Sequence, residues 1–242
     1  MNLLRQNTIM FTDRTNRVQQ YFNKQFARLM ILRQGFWFID IPRTSSSSIK
    51  AVLGESCGRV YGKMNVFEQQ YATPQILEDH LPASDMRAML GRFIWERIFT
   101  FTIVRNPWDR TFSMYNYRKK EGSIPEELTF RDYVLALDKA EEHGRMFRYH
   151  GFKYGASHYL LDDEGTIIVD FIAKYENRSE DLRAIGSRIK IRNLEGLHLQ
   201  AASPNHKHYS EFYDEEMKDI IQRRFAQDAE LFDYTFECGA RI

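Results

Sequence analysis

Arg43 is followed by five consecutive hydroxyl residues, Thr44, Ser45, Ser46, Ser47 and Ser48. A guanidinium fork ahead of small hydroxyl side chains supplies many donors and lets the backbone come close to an anion. Where such a run opens a helix, the free N–H groups of the first turn and the helix dipole add to the attraction. That is the profile of a phosphate or sulfate cradle. A serine-rich surface turn with an ordinary cap has the same composition, and this segment alone does not choose between them. The phosphate-loop pattern GxxxxGK[ST] is absent: the turn has no glycine and no lysine before its hydroxyls. That argues against an ATPase or GTPase.

A second group stands in Val104-Arg105-Asn106-Pro107-Trp108-Asp109-Arg110-Thr111-Phe112-Ser113, where Ser113 follows Arg105 by eight residues. A charged fork at a strand end and a hydroxyl two turns along the next helix can converge on one phosphate monoester. The other reading is an Arg105–Asp109 ion pair with Ser113 as a small packing residue. His80 has the pKa range of a general base. Glu78 and Asp79 beside it are further candidates, as bases or as groups that orient the imidazole.

These residues need elements to hold them. Phe36 to Ile41 is an almost unbroken apolar run that reads as a buried parallel strand ended by Pro42. Ser48 to Glu55 follows with helical character. Phe99 to Val104 reads as a second strand, β-branched and aromatic. Asn106 is then a good N-cap, Pro107 suits the first helical position and Asp109 suits the dipole, which predicts a helix through about Tyr117. Ile167 to Ile172 reads as a third strand, Glu180 to Ile189 as a helix, and Asp214 to Leu231 as one long amphipathic helix. Strands alternating with helices predict an α/β fold of three layers, a central parallel sheet flanked by helices. Ligands in such sheets bind at the carboxyl ends of strands, where both groups of candidate residues fall.

Composition bounds the rest. With 242 residues and no repeat or linker, one domain over 1–242 is expected, with a helical N-terminal extension over 1–30. A net charge of +1 argues against a nucleic-acid partner. Cys57 and Cys238 show no metal-ligand spacing and read as reduced structural thiols. No run approaches the roughly 20 apolar residues of a membrane span, and the first thirty residues lack a signal peptide's apolar stretch. The chain is therefore expected to be soluble and cytoplasmic, although an excised domain of an anchored enzyme would read the same way.

Together, Ile41-Pro42-Arg43-Thr44-Ser45-Ser46-Ser47-Ser48 and Arg105 with Ser113 resemble the donor-binding signatures of PAPS-dependent sulfotransferases, most closely the carbohydrate branch and its bacterial relatives. Weaker similarity runs from about Phe36 to Phe236 and includes His80-Leu81-Pro82-Ala83-Ser84, Val169 to Asn177 and Phe225 to Phe236. The resemblance implies a P-loop-NTPase-like sulfotransferase fold. It implies that the first loop holds the 5′-phosphosulfate of PAPS, and that Arg105 and Ser113 hold the 3′-phosphate. It places His80 at the catalytic base and Lys207 in a loop that closes on the nucleotide. Sulfonate then moves in line to an acceptor hydroxyl, on a carbohydrate, with PAP as product and no metal required. Two departures stand out. Arg43 occupies the position of the family's usual lysine, which is not a conservative exchange at a tight site, and the loop glycine is missing. A non-catalytic PAP-binding relative and a P-loop-type nucleotide kinase are the alternatives. The acceptor's identity and the oligomeric state are not legible.

Overall fold

The computed structural model describes residues 25–26, 28–57, 80–139, 154–194 and 207–236. Glu78, Asp79, Cys238, the side chain of Cys57 and residues 1–24 of the expected N-terminal extension lie outside the described residues. Residues 28–34 are helical.

Three strands form one parallel sheet in the order β1 (Phe36–Ile39), β2 (Phe99–Val104), β3 (Phe171–Lys174). The helices are α1 (Ser46–Cys57), α2 (Ala83–Leu90), α3 (Arg92–Trp95), α4 (Pro107–Lys120), α5 (Phe130–Asp138), α6 (Ser157–Leu160), α7 (Arg178–Ile189), α8 (Glu215–Arg224) and α9 (Ala226–Leu231). Side chains alternate across the strands. Phe36, Phe38, Phe99, Phe101, Ile103 and Ala173 pack on one face against Ile49, Val52 and Leu53 of α1 and Leu182 and Ile185 of α7. Ile39, Ile41 and Val104 belong to a second cluster with Met86, Leu90, Ile94, Trp95, Leu160 and Phe232. Helices thus cover both faces, and the expected three-layer α/β architecture is observed. A third cluster joins α4, α5 and α8 through Trp108, Phe112, Phe130, Tyr133, Met217, Ile220 and Ile221.

All six residues of β2 are buried, two of them threonines. Both hydroxyls are paired, as buried polar groups must be: Thr102 Oγ1 donates to the Ile39 carbonyl (2.8 Å) and Thr100 Oγ1 to Asp170 Oδ2 (2.8 Å).

Three boundaries differ from expectation. The first strand ends at Ile39, not Ile41, because Asp40 leaves the ladder and turns its carboxylate to Lys50 and His80. The third strand is Phe171–Lys174, not 167–172. Ile167 instead makes an antiparallel bridge to Leu161 across a turn held by Asp162, whose side chain accepts from the N–H groups of Glu164 and Thr166. Asp170 then trades hydrogen bonds with Thr100, and the ladder starts one residue later. The single helix expected over 214–231 is two, separated at Phe225 with ψ 31°. The break brings Asp228 to the backbone N–H groups of Ala156 and Ser157 and close to Arg110 (3.9 Å).

Candidate functional site

The register Ile39↔Thr102 sets the carboxyl ends of β1 and β2 side by side. The loops leaving them therefore share one end of the sheet, the end where open α/β sheets take ligands.

The loop after β1 turns sharply through Arg43 (φ 67°) and Ser45 (φ 75°). Left-handed backbone at a non-glycine residue costs about 1–2 kcal/mol, a cost this loop bears at two residues that carry a Cβ. Ser45 begins α1: its carbonyl accepts from the N–H groups of Ser48 (3.1 Å) and Ile49 (3.3 Å). Thr44 is fully buried and donates its hydroxyl to the Ile41 carbonyl (2.9 Å). Its hydroxyl is thus committed to the loop. Ser46 is buried, Ser48 half-buried and Ser47 exposed. From the other side Arg110, itself buried, donates Nε to the Pro42 carbonyl (3.1 Å) and Nη2 to the Tyr154 carbonyl (3.2 Å).

The second loop starts α4 as expected. Asn106 accepts from the Trp108 N–H (3.1 Å), Pro107 is the first helical residue and Asp109 lies in the first turn. Arg105 donates Nε and Nη2 to Asp109 (2.7 and 2.9 Å) and Nη1 to the carbonyl of Arg43 (3.2 Å). The ion pair anticipated from the sequence therefore exists, and it aims the guanidinium at the first loop. The Arg105 fork stacks on one ring with Arg178: Tyr175 lies 4.0 Å from Arg105 and 4.6 Å from Arg178. Arg43 reaches across and donates Nε and Nη2 to Ser113 Oγ (3.3 and 3.2 Å), with its fork 4.3 Å over the Tyr117 ring. Arg43, Arg105 and Ser113 are thus brought into one cluster.

Its electrostatics are uneven. Burial first, and then the neighbouring Arg105 charge, push the Arg43 guanidinium below its ordinary value. Burial acts the same way on Arg105, but Asp109 outweighs it and holds Arg105 above its ordinary value. Among the described residues Arg105 has a carboxylate partner in ion-pair contact and Arg43 has none. The pair carries surplus positive charge, which an anion would relieve.

His80 stands at the edge of the same loop. Its Nδ1 lies 3.2 Å from the Asp40 carbonyl and 3.3 Å from Asp40 Oδ1, and the other carboxylate oxygen takes Lys50 Nζ at 2.6 Å. Burial disfavours the imidazolium, but Asp40 more than offsets it, and His80 is raised above its usual value. Asp40 is shifted the other way: burial opposes ionisation, but His80 and Lys50 hold the carboxyl below its usual range. Lys207 is not brought into the cluster; it is exposed and sits 3.8 Å from Glu211. Glu176 accepts from the Asn106 N–H (2.8 Å) and the Tyr234 hydroxyl (2.9 Å).

The family model described as "Sulfotransferase family" matches residues 28–235. The chain belongs to the sulfotransferase family. A solved structure similar to it is a sulfotransferase from Alicyclobacillus acidocaldarius, with 15% identity, a TM-score of 0.44, and coverage of 84% of this chain and 96% of that chain. No curated protein matches.

Residue patterns in the sulfotransferase sequence pointed to Arg43, Arg105, Ser113 and His80 but not to Asp40, Lys50 or Arg110. Asp40 and Lys50 are ten residues apart, a separation with no motif behind it. Arg110 sits inside the Arg105–Ser113 segment, and its burial was the missing signal. Among the described residues no helix is long and apolar enough to cross a membrane, and no group of three or more His, Cys, Asp or Glu is placed to hold a metal.

Proposed function

We propose that this sulfotransferase moves a sulfonate group from PAPS to an acceptor hydroxyl, that of a carbohydrate, with His80 as general base. The observation that carries the donor assignment is the joining of Arg43, Arg105 and Ser113 at adjacent strand ends. Two forks with spare N–H groups and a hydroxyl suit a phosphate monoester. The serine run at the start of α1 suits the 5′-phosphosulfate.

The acceptor O–H gives its proton to His80 as its oxygen forms a bond to sulfur. The sulfur–oxygen bond to the 5′-phosphate breaks, and its electron pair leaves on PAP. N–H donors of the first loop and the Arg43 charge stabilise that oxygen. The sulfonate carries less charge than a phosphoryl group, so guanidinium and amide donors suffice and the step calls for no metal.

Support for a sugar acceptor comes from Tyr154 and His158, which stack at 3.9 Å with 16° between planes. Tyr154 is 40% exposed, and its carbonyl shares Arg110 with the donor loop. An exposed aromatic pair suits the apolar face of a sugar ring.

Two measurements test the proposal. Millimolar PAP should raise the melting temperature; no shift would remove the donor assignment. Labelled sulfonate from PAPS should appear on oligosaccharides in a screen of acceptor classes, and exclusive labelling of phenols or lipids would overturn the carbohydrate reading. In the same assay His80→Ala should lose turnover by roughly 10²–10⁴-fold and keep PAP affinity. Equal loss of both would remove His80 as the base.

A further inference from the structure

We infer that Asp40 is the positioning residue for His80, fixing its tautomer with the proton on Nδ1 and the lone pair on Nε2, and that Lys50 ties this pair to the donor-loop helix. The inference rests on the reading of His80 as base, and extends it to residues that reading did not use.

The tautomer follows from the neighbours. His80 Nδ1 faces the Asp40 carbonyl at 3.2 Å and Asp40 Oδ1 at 3.3 Å. A carbonyl and an ionised carboxylate only accept hydrogen bonds. A bare nitrogen lone pair there would meet two acceptors, so Nδ1 carries the proton. The other nitrogen, Nε2, is then the basic one, and no described residue bonds it. Asp40 also stabilises the imidazolium that forms when Nε2 takes the acceptor's proton. The same logic of a base oriented by a third group recurs on unrelated folds.

The arrangement is built in. The Asp40 side chain is 10% exposed and His80 20%. His80 holds φ 68°, an uncommon conformation for a residue with a Cβ. Lys50 lies on α1, seven residues after Arg43, and its Nζ takes the second oxygen of Asp40 at 2.6 Å. One carboxylate thus bridges the donor-loop helix and the base. Among the described residues the charges acting on His80 are Asp40 from the end of β1 and Lys50 from α1. Tyr159 of α6 interacts electrostatically with Asp40 and Arg110.

The two charges pull His80 in opposite directions. Asp40 favours the imidazolium and Lys50 disfavours it. Removing them should therefore move the titration of His80 in opposite senses, and a loss of turnover in Asp40→Asn then separates a positioning role from a bare ion pair.

The test uses the full chain, ¹⁵N-labelled at histidine, with imidazole ¹⁵N–¹H correlation spectra recorded against pH. The His80 signals among the seven histidines are assigned by their loss in His80→Ala. We expect a neutral ring protonated on Nδ1. Asp40→Asn should titrate at lower pH than the unsubstituted chain, and Lys50→Met at higher pH. Asp40→Asn should also lower turnover, read as PAP release from PAPS with the acceptor found by the screen, at least about tenfold, part of what a positioned base supplies. A neutral ring protonated on Nε2 overturns the inference, as do shifts of the same sign in the two variants. If Asp40→Asn does not fold, Lys50→Met alone and the Asp40→Asn/Lys50→Met double variant still decide the sign. Loss of turnover in His80→Ala with an unshifted Asp40→Asn defeats the inference and leaves the base standing. Full turnover in His80→Ala defeats the base itself, whatever the spectra show.

Discussion

Replacing Arg105 with alanine should weaken PAP far more than AMP, and the size of the gap follows from a count of donors. A guanidinium has five N–H groups. In Arg105, Nε and Nη2 each give one to Asp109 and Nη1 gives one to the Arg43 carbonyl, so two remain for a ligand. A hydrogen bond to a charged group contributes about 1.5–3 kcal/mol net. Two of them on one phosphate, not fully additive, give about 2–4 kcal/mol, or roughly 30- to 900-fold in Kd. Removing the fork also leaves Asp109 as an unpaired carboxylate beside the ligand's anion, which adds to the loss. AMP lacks the 3′-phosphate and should change less than about threefold on the same reasoning. Titration calorimetry with both nucleotides, at one fixed ionic strength, measures the gap, and a melting curve checks that the variant is folded. Equal losses for PAP and AMP would mean that Arg105 acts by bracing the first loop through the Arg43 carbonyl. Unchanged PAP affinity would place the 3′-phosphate elsewhere. Arg105→Lys should recover only part of the loss, because it keeps the charge without the fork.

Stability should depend on pH through the Asp40–His80 pair. His80 is raised above 6.5 in the fold, so its contribution is complete below that value and is lost as pH rises through the folded value. Asp40 is lowered from 3.8, so its contribution is present above that value and is lost as pH falls through the folded value. The stability difference between the unsubstituted chain and His80→Ala should therefore be largest between about pH 4 and 6.5 and shrink toward pH 8. A difference that grows with pH in chemical denaturation would refute this. Gly155→Ala should destabilise by about 1–3 kcal/mol, because a Cβ there would come within 2.8 Å of the Asp228 carboxyl carbon. An unchanged melting temperature would show that Asp228 can give way. Turnover should survive a chelator; strong inhibition would contradict a mechanism built on guanidinium and amide donors.

Local chemistry made much of this protein legible from sequence. The strand over Phe99–Val104 and the start of α4 at Asn106 and Pro107 follow from residue type and order, because β-branched residues, caps and proline act through their own backbone. By the same local reasoning Arg43 and the five hydroxyls after it marked the turn that opens α1. What lay beyond reach was pairing across distance. The third strand began later than its apolar run because Asp170 bonds Thr100, seventy residues away. The helix after Asp214 broke at Phe225, where Asp228 turns toward Arg110 and the segment of Ala156 and Ser157. The union of Arg43 with Ser113 arose only when parallel strands set two loops at one end of the sheet, and that of Asp40 with His80 only when a segment forty residues on packed against the end of β1. Sequence alone determined which residues could bind an anion or move a proton. Tertiary structure decided which of them meet, because buried charges and carbonyls must find partners wherever the packed strands and helices place them.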